Sequence, residues 1–511
     1  METTLKSLMA SHAGDLPAIG APGRSWLSYG ELRDLTGEVA AHLHAMGIDA
    51  RDRVAIVLPN GPEMATAFVT VAQAATTAPL NPAYREDEYA FYLKDLKAKA
   101  LLIAEGDSGP AYSAAVKLGM SVIRLAVPDG APAGYFTLSS DRVGDASRAP
   151  EADDIALILH TSGTTSRPKI VPLLHSNLAA SAQHIRDSLA LTSEDRCLNV
   201  MPLFHIHGLV AAVSASLAAG GSIFCTAGFN ALNFFAMMEE AAPTWFTAVP
   251  TMHQAILTRA GRNSEVIAKH PLRFLRSSSA SLPAQVMVAL RQTFGAPVIE
   301  AYGMTEAAHQ MASNPLPPRD QKPGAVGVAA GPMIRVAHEI ENHLIDGTGE
   351  IVISGPNVTP GYESNPDANT KNFFEAEGAR WFRTGDQGAF DGDGYLHLTG
   401  RLKEIINRGG EKISPLEVDG VLLDHPDVAQ VVTFALPHPK LGEEVAAAVV
   451  LKDGAAATEA DIREFASGAM ADFKVPRKVI IMDEIPKGAT GKMQRIGLAD
   501  KLGLTEQAQP R

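Results

Sequence analysis

Short apolar runs alternate with stretches whose apolar residues return every three to four positions, and no other feature restricts the fold of this chain as much. Tyr29, Leu32, Leu35, Val39, Leu43 and Met46 keep helical spacing up to Gly47, which stops the pattern. Val54-Ala-Ile-Val-Leu58 then reads as a short buried strand, about Pro62 to Ala75 as a second helix, and Ala100-Leu-Leu-Ile103 as another strand. After a loop-rich stretch near Pro128 to Pro150 the rhythm resumes with Ile155-Ala-Leu-Ile-Leu159, Ser222–Cys225, Trp245–Val249, Phe274-Leu275 and Val298-Ile299. Strands separated by helices are joined by crossovers, which implies a parallel sheet covered on both faces. From about Gly349 the texture changes. Glu350-Ile-Val-Ile353 and Gly394-Tyr-Leu-His-Leu398 suggest a smaller β-rich subdomain. The remaining part reads as a separate α+β unit, with a helix near Leu416–Leu423, strands near Val428–Ala435 and Glu444–Leu451, and a helix near Glu459–Met470. Gly400-Arg-Leu-Lys403 marks the boundary. A chain of 511 residues is too long for one ordinary core, so two or more domains are expected.

Composition narrows the functional classes. The net charge of −13 repels a polyanion and argues against a general nucleic-acid role, although a local nest of backbone amides can still hold one nucleotide. Cys197 and Cys225 lack metal spacing and form no disulfide framework, which fits a reducing, cytoplasmic compartment. The first residues carry no basic stretch followed by an apolar one, and the last match no peroxisomal address. The most apolar stretch, about Gly208 to Gly221, is short and rich in Ala, Ser and Gly; a buried helix, not a membrane span, is expected there.

Five segments carry chemistry. Thr161-Ser-Gly-Thr-Thr-Ser-Arg-Pro-Lys169 follows a buried strand, and its small residues suit a loop that brings N–H groups and hydroxyls to phosphate oxygens, with Lys169 as a cation. The Gly-Lys-[Ser/Thr] signature of P-loop ATPases is absent from it. In Glu300-Ala-Tyr-Gly-Met-Thr-Glu306, a tyrosine can stack on a base, Thr305 can reach a phosphate oxygen and Glu306 can hold Mg²⁺. Trp381-Phe-Arg-Thr-Gly-Asp386 sets a carboxylate after a glycine turn, suited to a ribose diol. Gly400-Arg-Leu-Lys-Glu-Ile-Ile-Asn-Arg-Gly-Gly-Glu-Lys-Ile-Ser-Pro415 and Pro486-Lys-Gly-Ala-Thr-Gly-Lys492 complete the set. Each alone is weak, since a polar surface turn satisfies the same pattern.

In this order and spacing the five segments resemble the adenylate-forming superfamily of acyl-CoA synthetases, adenylation domains and luciferases, over about Leu27 to Arg495. The resemblance implies an α/β protein with an α+β part. Residues 1–400 form a large domain of βα-layered sheets plus a distorted β-barrel, and residues 401–511 a small mobile domain hinged near Lys403. It also implies roles. Thr161, Ser162, Gly163, Thr164, Thr165 and Lys169 belong to the loop over the β- and γ-phosphates of ATP. Tyr302 stacks on adenine, Thr305 touches the α-phosphate, and Glu306 binds Mg²⁺. Asp386 takes the ribose hydroxyls with Arg401 nearby, and Gly410 lets the pantetheine arm of coenzyme A pass. Lys492 reaches from the small domain to the α-phosphate and the acid. The family usually has glycine where this chain has Ser166, and a Cβ there removes conformational freedom from the loop.

The acid site is expected near Met201-Pro-Leu-Phe-His-Ile-His-Gly208, with His205 beside the reacting carboxylate. His207, Ser279 and His309 offer bonds to a second polar end of a short acid, although a histidine in such a place is also compatible with a satisfied core residue and the serines with an edge of the adenine site. These strings, with Arg276-Ser-Ser-Ser-Ala-Ser-Leu282, resemble the oxalate–CoA ligase branch; malonate–CoA ligases typically carry Arg where this chain has Ala301. The reaction implied joins a small carboxylic acid to ATP and then to coenzyme A, by a monomer or homodimer acting without nucleic acid or membrane. Ligation of another small acid such as malonate or a short-chain acid, loading of a carrier protein, and non-catalytic nucleotide binding stay open as alternatives.

Overall fold

The computed structural model describes residues 4–140, 143–146, 148–161, 168–486 and 493–504. Among these, two large mixed sheets form the body of the molecule. In the first, seven strands run in the order Thr137–Ser139, Ser121–Ala126, Ala100–Ala104, Arg53–Val57, Thr76–Pro79, Ile155–Thr161 and Lys169–Leu174. Its five central strands are parallel and its two outer ones antiparallel. In the second, nine strands run from Val328–Ala329 through His309–Ser313, Val298–Met304, Phe274–Ser277, Trp245–Ala248, Arg196–Asn199, Ser222–Cys225 and Pro17–Gly20 to Leu27–Ser28. Again the middle is parallel and both ends are antiparallel. The wholly parallel sheet expected from the alternation is therefore corrected at its edges, where hairpin partners sit across loops that local periodicity does not register.

The helices form where the apolar spacing placed them. Helix Tyr29–Ala45 opens with a capping box between Ser28 and Glu31, worth about 1 kcal/mol, and buries Leu32, Leu35, Val39 and Leu43 on one face. Helix Pro62–Val71 is buried on every face but that of Glu63. Fully burying each such large apolar side chain contributes roughly 1.5–3 kcal/mol, so this layer fixes the first sheet against the second. The helix stops at Val71, short of the expected Ala75, because a tight turn must deliver Thr76 to the sheet. The apolar stretch after His207 is a π-helix, His207–Ser214, continued by the α-helix Ala215–Ala218; all of its residues are buried. Among the described residues no helix is long and apolar enough to cross a membrane.

A third, barrel-like sheet of six strands is built on Ala379–Phe390, which pairs with Gly349–Ser354, Phe373–Ala376 and Leu396–Arg401. The strand expected from Gly394 begins two residues later, since Gly394 lies in a turn closed by its N–H on the Asp391 carbonyl. A separate C-terminal unit follows, with a five-stranded sheet led by the Val428–His438 and Gly442–Leu451 hairpin. Helices Pro415–Leu423 and Glu459–Ala469 cover it, around a core that includes Ile406, Val418, Val431 and Ile462.

Candidate active site

The site is organised by one hairpin, Val298–Met304 with His309–Ser313. Gly303 makes it possible: a Cβ there would lie 1.8 Å from the His309 carbonyl oxygen. The reversal between the strands is the short turn Thr305–Ala307, followed by Ala308 at φ 46° and His309 at φ 104°. Non-glycine residues held in this left-handed region cost of order 1–3 kcal/mol each and concentrate at functional sites. Glu306 and His309 thus leave one tight turn toward different neighbours.

On one side of this hairpin, the Tyr302 hydroxyl donates to Asp386 Oδ2 at 2.5 Å, and Arg401 Nε lies 3.6 Å from Asp386 Oδ1. Strand pairing sets Asp386 opposite Arg401, so the contact is built into the register of the barrel-like sheet. Burial and the neighbouring Asp386 charge hold the Tyr302 phenol protonated well above its usual range. The Arg401 side chain is exposed, and the Asp386 and Glu404 carboxylates raise its pKa. Glu306 is buried; its Oε1 accepts from the Tyr362 hydroxyl at 2.8 Å, while the Lys169 ammonium lies 4.2 Å from the centre of the Tyr362 ring. Burial raises the Glu306 carboxyl and lowers the Lys169 ammonium, each opposed by the charge of the other. A single carboxylate of this kind suits Mg²⁺, which is usually held by one or two carboxylates together with substrate phosphates. Thr305 is half-buried in the same turn.

Thr161 pairs with Lys169 across an antiparallel ladder, which fixes the two ends of the segment between them. Ser162, Gly163, Thr164, Thr165 and Ser166 lie outside the described residues, as does Lys492. Three positions beyond Lys492, Arg495 is anchored to Asp419 at 2.7 Å, to Glu404 at 3.4 Å and to the Thr433 carbonyl at 3.0 Å. Lys403 is exposed and near enough to Lys169 for its charge to depress the Lys169 pKa. Gly410 sits at φ 98° in the turn joining Ile406–Arg408 to Glu411–Ile413, with no atom within 4 Å of a Cβ built on it. Here its backbone angle, not crowding, calls for glycine.

On the other side, His207 opens the π-helix and is buried. Its Nδ1 lies 3.0 Å from Ser279 Oγ, its Nε2 lies 2.6 Å from Thr247 Oγ1, and its ring centre is 5.1 Å from that of His309. His207, Ser279 and His309, distant in sequence, thus form one cluster. Ser279 also has a left-handed backbone, φ 75°. His205 stands half-buried two residues earlier, its ring against Phe204, and its carbonyl accepts from the Leu209 N–H.

Four residues of this neighbourhood escaped the sequence reading as site members: Thr247, Arg276, Gln310 and Tyr362. Arg276 is fully buried in strand Phe274–Ser277 and donates to Gln310 Oε1 at 3.2 Å, to Thr247 Oγ1 at 3.4 Å and to His207 Nε2 at 3.4 Å. A charged residue in an apolar parallel strand is the signal that marks it. Tyr362 lies outside regular structure in sequence and offers no comparable mark.

The buried acid beside a lysine, the tyrosine–aspartate–arginine group and the separate C-terminal unit together define an enzyme of the adenylate-forming class. The chain belongs to the AMP-binding enzyme family: residues 8–363 match the AMP-binding enzyme domain and residues 417–492 the AMP-binding enzyme C-terminal domain. It is similar to an oxalate–CoA ligase of Arabidopsis thaliana, 46% identical over 505 residues that cover 96% of this chain and 97% of the relative. It also resembles an oxalate–CoA ligase of Saccharomyces cerevisiae, 41% identical over 476 residues, covering 88% and 87%. Among solved structures, ATP-bound MatB from Rhodopseudomonas palustris superposes with a TM-score of 0.86 at 31% identity, covering 99% of this chain and 98% of that one.

Proposed function

We propose that this protein is an ATP-dependent acid–CoA ligase whose acid is oxalate. In the first step a carboxylate oxygen attacks the α-phosphorus of ATP, giving the acyl-adenylate and releasing pyrophosphate. In the second the thiol of coenzyme A attacks the acyl carbon, and AMP leaves. The observation that carries the choice of acid is the His207–Ser279–His309 cluster, a group of polar side chains with the guanidinium of Arg276 behind it. Such a surface suits a short acid with a second anionic end, because a buried carboxylate without hydrogen-bonding partners is strongly penalised. Similarity to the plant and yeast oxalate–CoA ligases supports the same reading.

The residues divide the work. Tyr302 and Asp386 form the adenosine side, with the Asp386 carboxylate accepting from the ribose hydroxyls and Arg401 holding it in place. Thr305, Lys169 and the loop from Thr161 to Thr165 handle the phosphates. Glu306 would hold Mg²⁺, which when bound offsets the negative charge of the phosphates. His205 lies on the approach to the acid. Lys492 brings an ammonium to the two anions that must meet, an electrostatic contribution of the kind that dominates many enzymatic reactions. Residues 401–511 would move about Lys403 between the two steps, with Gly410 facing the thiol arm, a gating motion. We place the enzyme in a reducing cytoplasm, as a monomer or homodimer.

Pyrophosphate release, with and without coenzyme A, against oxalate, malonate, acetate and medium-chain acids tests the proposal. Oxalate is expected to give the highest kcat/KM, and thioester formation to require coenzyme A. Oxalate among the poorest acids sinks the assignment of substrate.

A further inference from the structure

Arg276 presents a problem that the nucleotide chemistry does not solve. It is fully buried, and no carboxylate pairs with it among the described residues. Its neighbours are the neutral oxygens of Thr247 and Gln310, the ring of His207 and the Cys197 thiol. Burial keeps that thiol protonated, so it supplies no negative charge. The guanidinium Nε has no hydrogen-bond partner. Burial lowers the Arg276 pKa to about 9, which still leaves the group cationic at neutral pH. An isolated buried charge is costly, and a hydrophobic residue of similar volume is often at least as stabilising.

The contacts also have a direction. A guanidinium only donates, so any atom it meets must accept. His207 Nε2 faces Arg276 Nη1 at 3.4 Å and Thr247 Oγ1 at 2.6 Å. Nε2 is therefore the lone-pair side of the ring, and the proton sits on Nδ1, where it donates to Ser279 Oγ 3.0 Å away. With its oxygen already accepting, Ser279 has its own hydrogen left to donate onward. The chain Arg276, Thr247, His207, Ser279 ends on a donor.

We propose that Arg276 is a positioning residue for acid selection: it supplies the buried positive charge that balances the second carboxylate of a dianionic acid, and through Thr247 and His207 it turns Ser279 into a donor toward that carboxylate. The assignment rests on the reading of the acid as oxalate. It extends that reading by giving the selectivity for a dianion a source outside the residues that touch the acid.

The test compares oxalate with glyoxylate, a monoanion of nearly the same shape, in the wild-type enzyme and in Arg276→Met, Arg276→Gln and Arg276→Lys. The readouts are KM and kcat for pyrophosphate release and the melting temperature. In Arg276→Met and Arg276→Gln the KM for oxalate is expected to rise about 10–100-fold, the range for hydrogen bonds to charged groups, and at least about tenfold more than the KM for glyoxylate. Arg276→Lys, which keeps the charge, is expected to recover part of the oxalate preference, and Arg276→Met to melt no lower than the wild type. Equal losses on both acids with a lowered melting temperature would show a purely structural role and overturn the assignment. So would failure of both neutral variants to fold. A wild type that prefers oxalate, with neutral variants that keep the preference, overturns the role of Arg276 alone. A wild type that turns over no dicarboxylate sinks the substrate reading first, and this assignment with it.

Discussion

The two halves of the site solve opposite electrostatic problems. On the side proposed for the nucleotide, acids and bases alternate: Asp386 sits with Tyr302 and Arg401, and Glu306 with Tyr362 and Lys169. On the side proposed for the acid, His207, Ser279, His309 and Thr247 offer polar groups, and the buried cation of Arg276 stands behind them. The first arrangement suits hydroxyls, a metal ion and phosphates, which need both signs of charge. The second suits a small anion, for which a nearby carboxylate would be repulsive. One hairpin turn separates the two, so a few residues decide which polarity each substrate meets.

The largest expected effect falls where the halves must be bridged. Lys492→Ala is expected to lower adenylation about 10²–10³-fold, as for loss of one oxyanion donor, while thioester formation from supplied acyl-adenylate changes only a few-fold. Single-turnover assays of each half-reaction check this. Equal loss in both breaks the division of labour between the bridging lysine and the rest of the site. The next effect tests the acid side alone. His309→Ala removes a donor beside His207 and is expected to raise the KM for oxalate about tenfold or more, leaving the KM for ATP nearly unchanged. An unchanged acid preference would remove His309 from the pocket and blur the contrast between the halves.

The nucleotide side was far more legible in sequence than the acid side, for a physical reason. Its groups lie in contiguous strings, where a turn residue and its functional neighbour are a few positions apart: Tyr302 with Gly303 and Glu306, Gly385 with Asp386. The resemblance to a known family could therefore be carried over residue by residue. The acid cluster joins a π-helix, the ends of two parallel strands and a hairpin, and its members meet only through packing. His207, Ser279 and His309 were singled out within such strings, whereas Thr247 sits in a strand whose apolar pattern made it look like core, and Arg276 was quoted only as the first residue of a string. Tyr362 lies in irregular structure, where nothing local signals that its hydroxyl meets Glu306. Likewise the central strands were legible from their apolar runs, and the antiparallel strands Lys169–Leu174 and His309–Ser313 were not, because pairing across a turn leaves no periodic trace.

Glu300 tests whether the acid side truly excludes negative charge. It is buried in the strand next to Ser277, and its carboxylate Oε1 accepts from the Leu282 N–H at 2.8 Å. Burial pushes its carboxyl up to about 8, so the folded protein holds a proton that the unfolded chain releases near 4.5. Between those values the folded state binds more protons. Its contribution is complete below about pH 4.5 and is lost as pH rises toward 8, with a slope of at most about 1.4 kcal/mol per pH unit. Glu300→Gln, which imitates the protonated acid, is expected to flatten this fall in denaturation midpoints measured from pH 5 to 8. An unchanged slope would mean that Glu300 is ionised, and that the acid side tolerates a carboxylate.

The smallest effect concerns the contact between the C-terminal unit and the barrel-like sheet. Lys412 in strand Glu411–Ile413 meets Glu339 Oε2 at 2.5 Å, and Glu339 Oε1 accepts from Gln387 Nε2 at 2.7 Å, next to Asp386. Lys412 is more than half exposed, so the pair is worth at most about 1 kcal/mol. Lys412→Ala is therefore expected to change the rate of either half-reaction no more than about fivefold, and the change should shrink as salt is raised and screens the pair. Because the contact reaches Gln387 and not the His207 cluster, the KM for ATP is expected to move more than the KM for oxalate. A shift confined to oxalate would show that the C-terminal unit acts on the acid side, and the separation of the two halves would have to be redrawn.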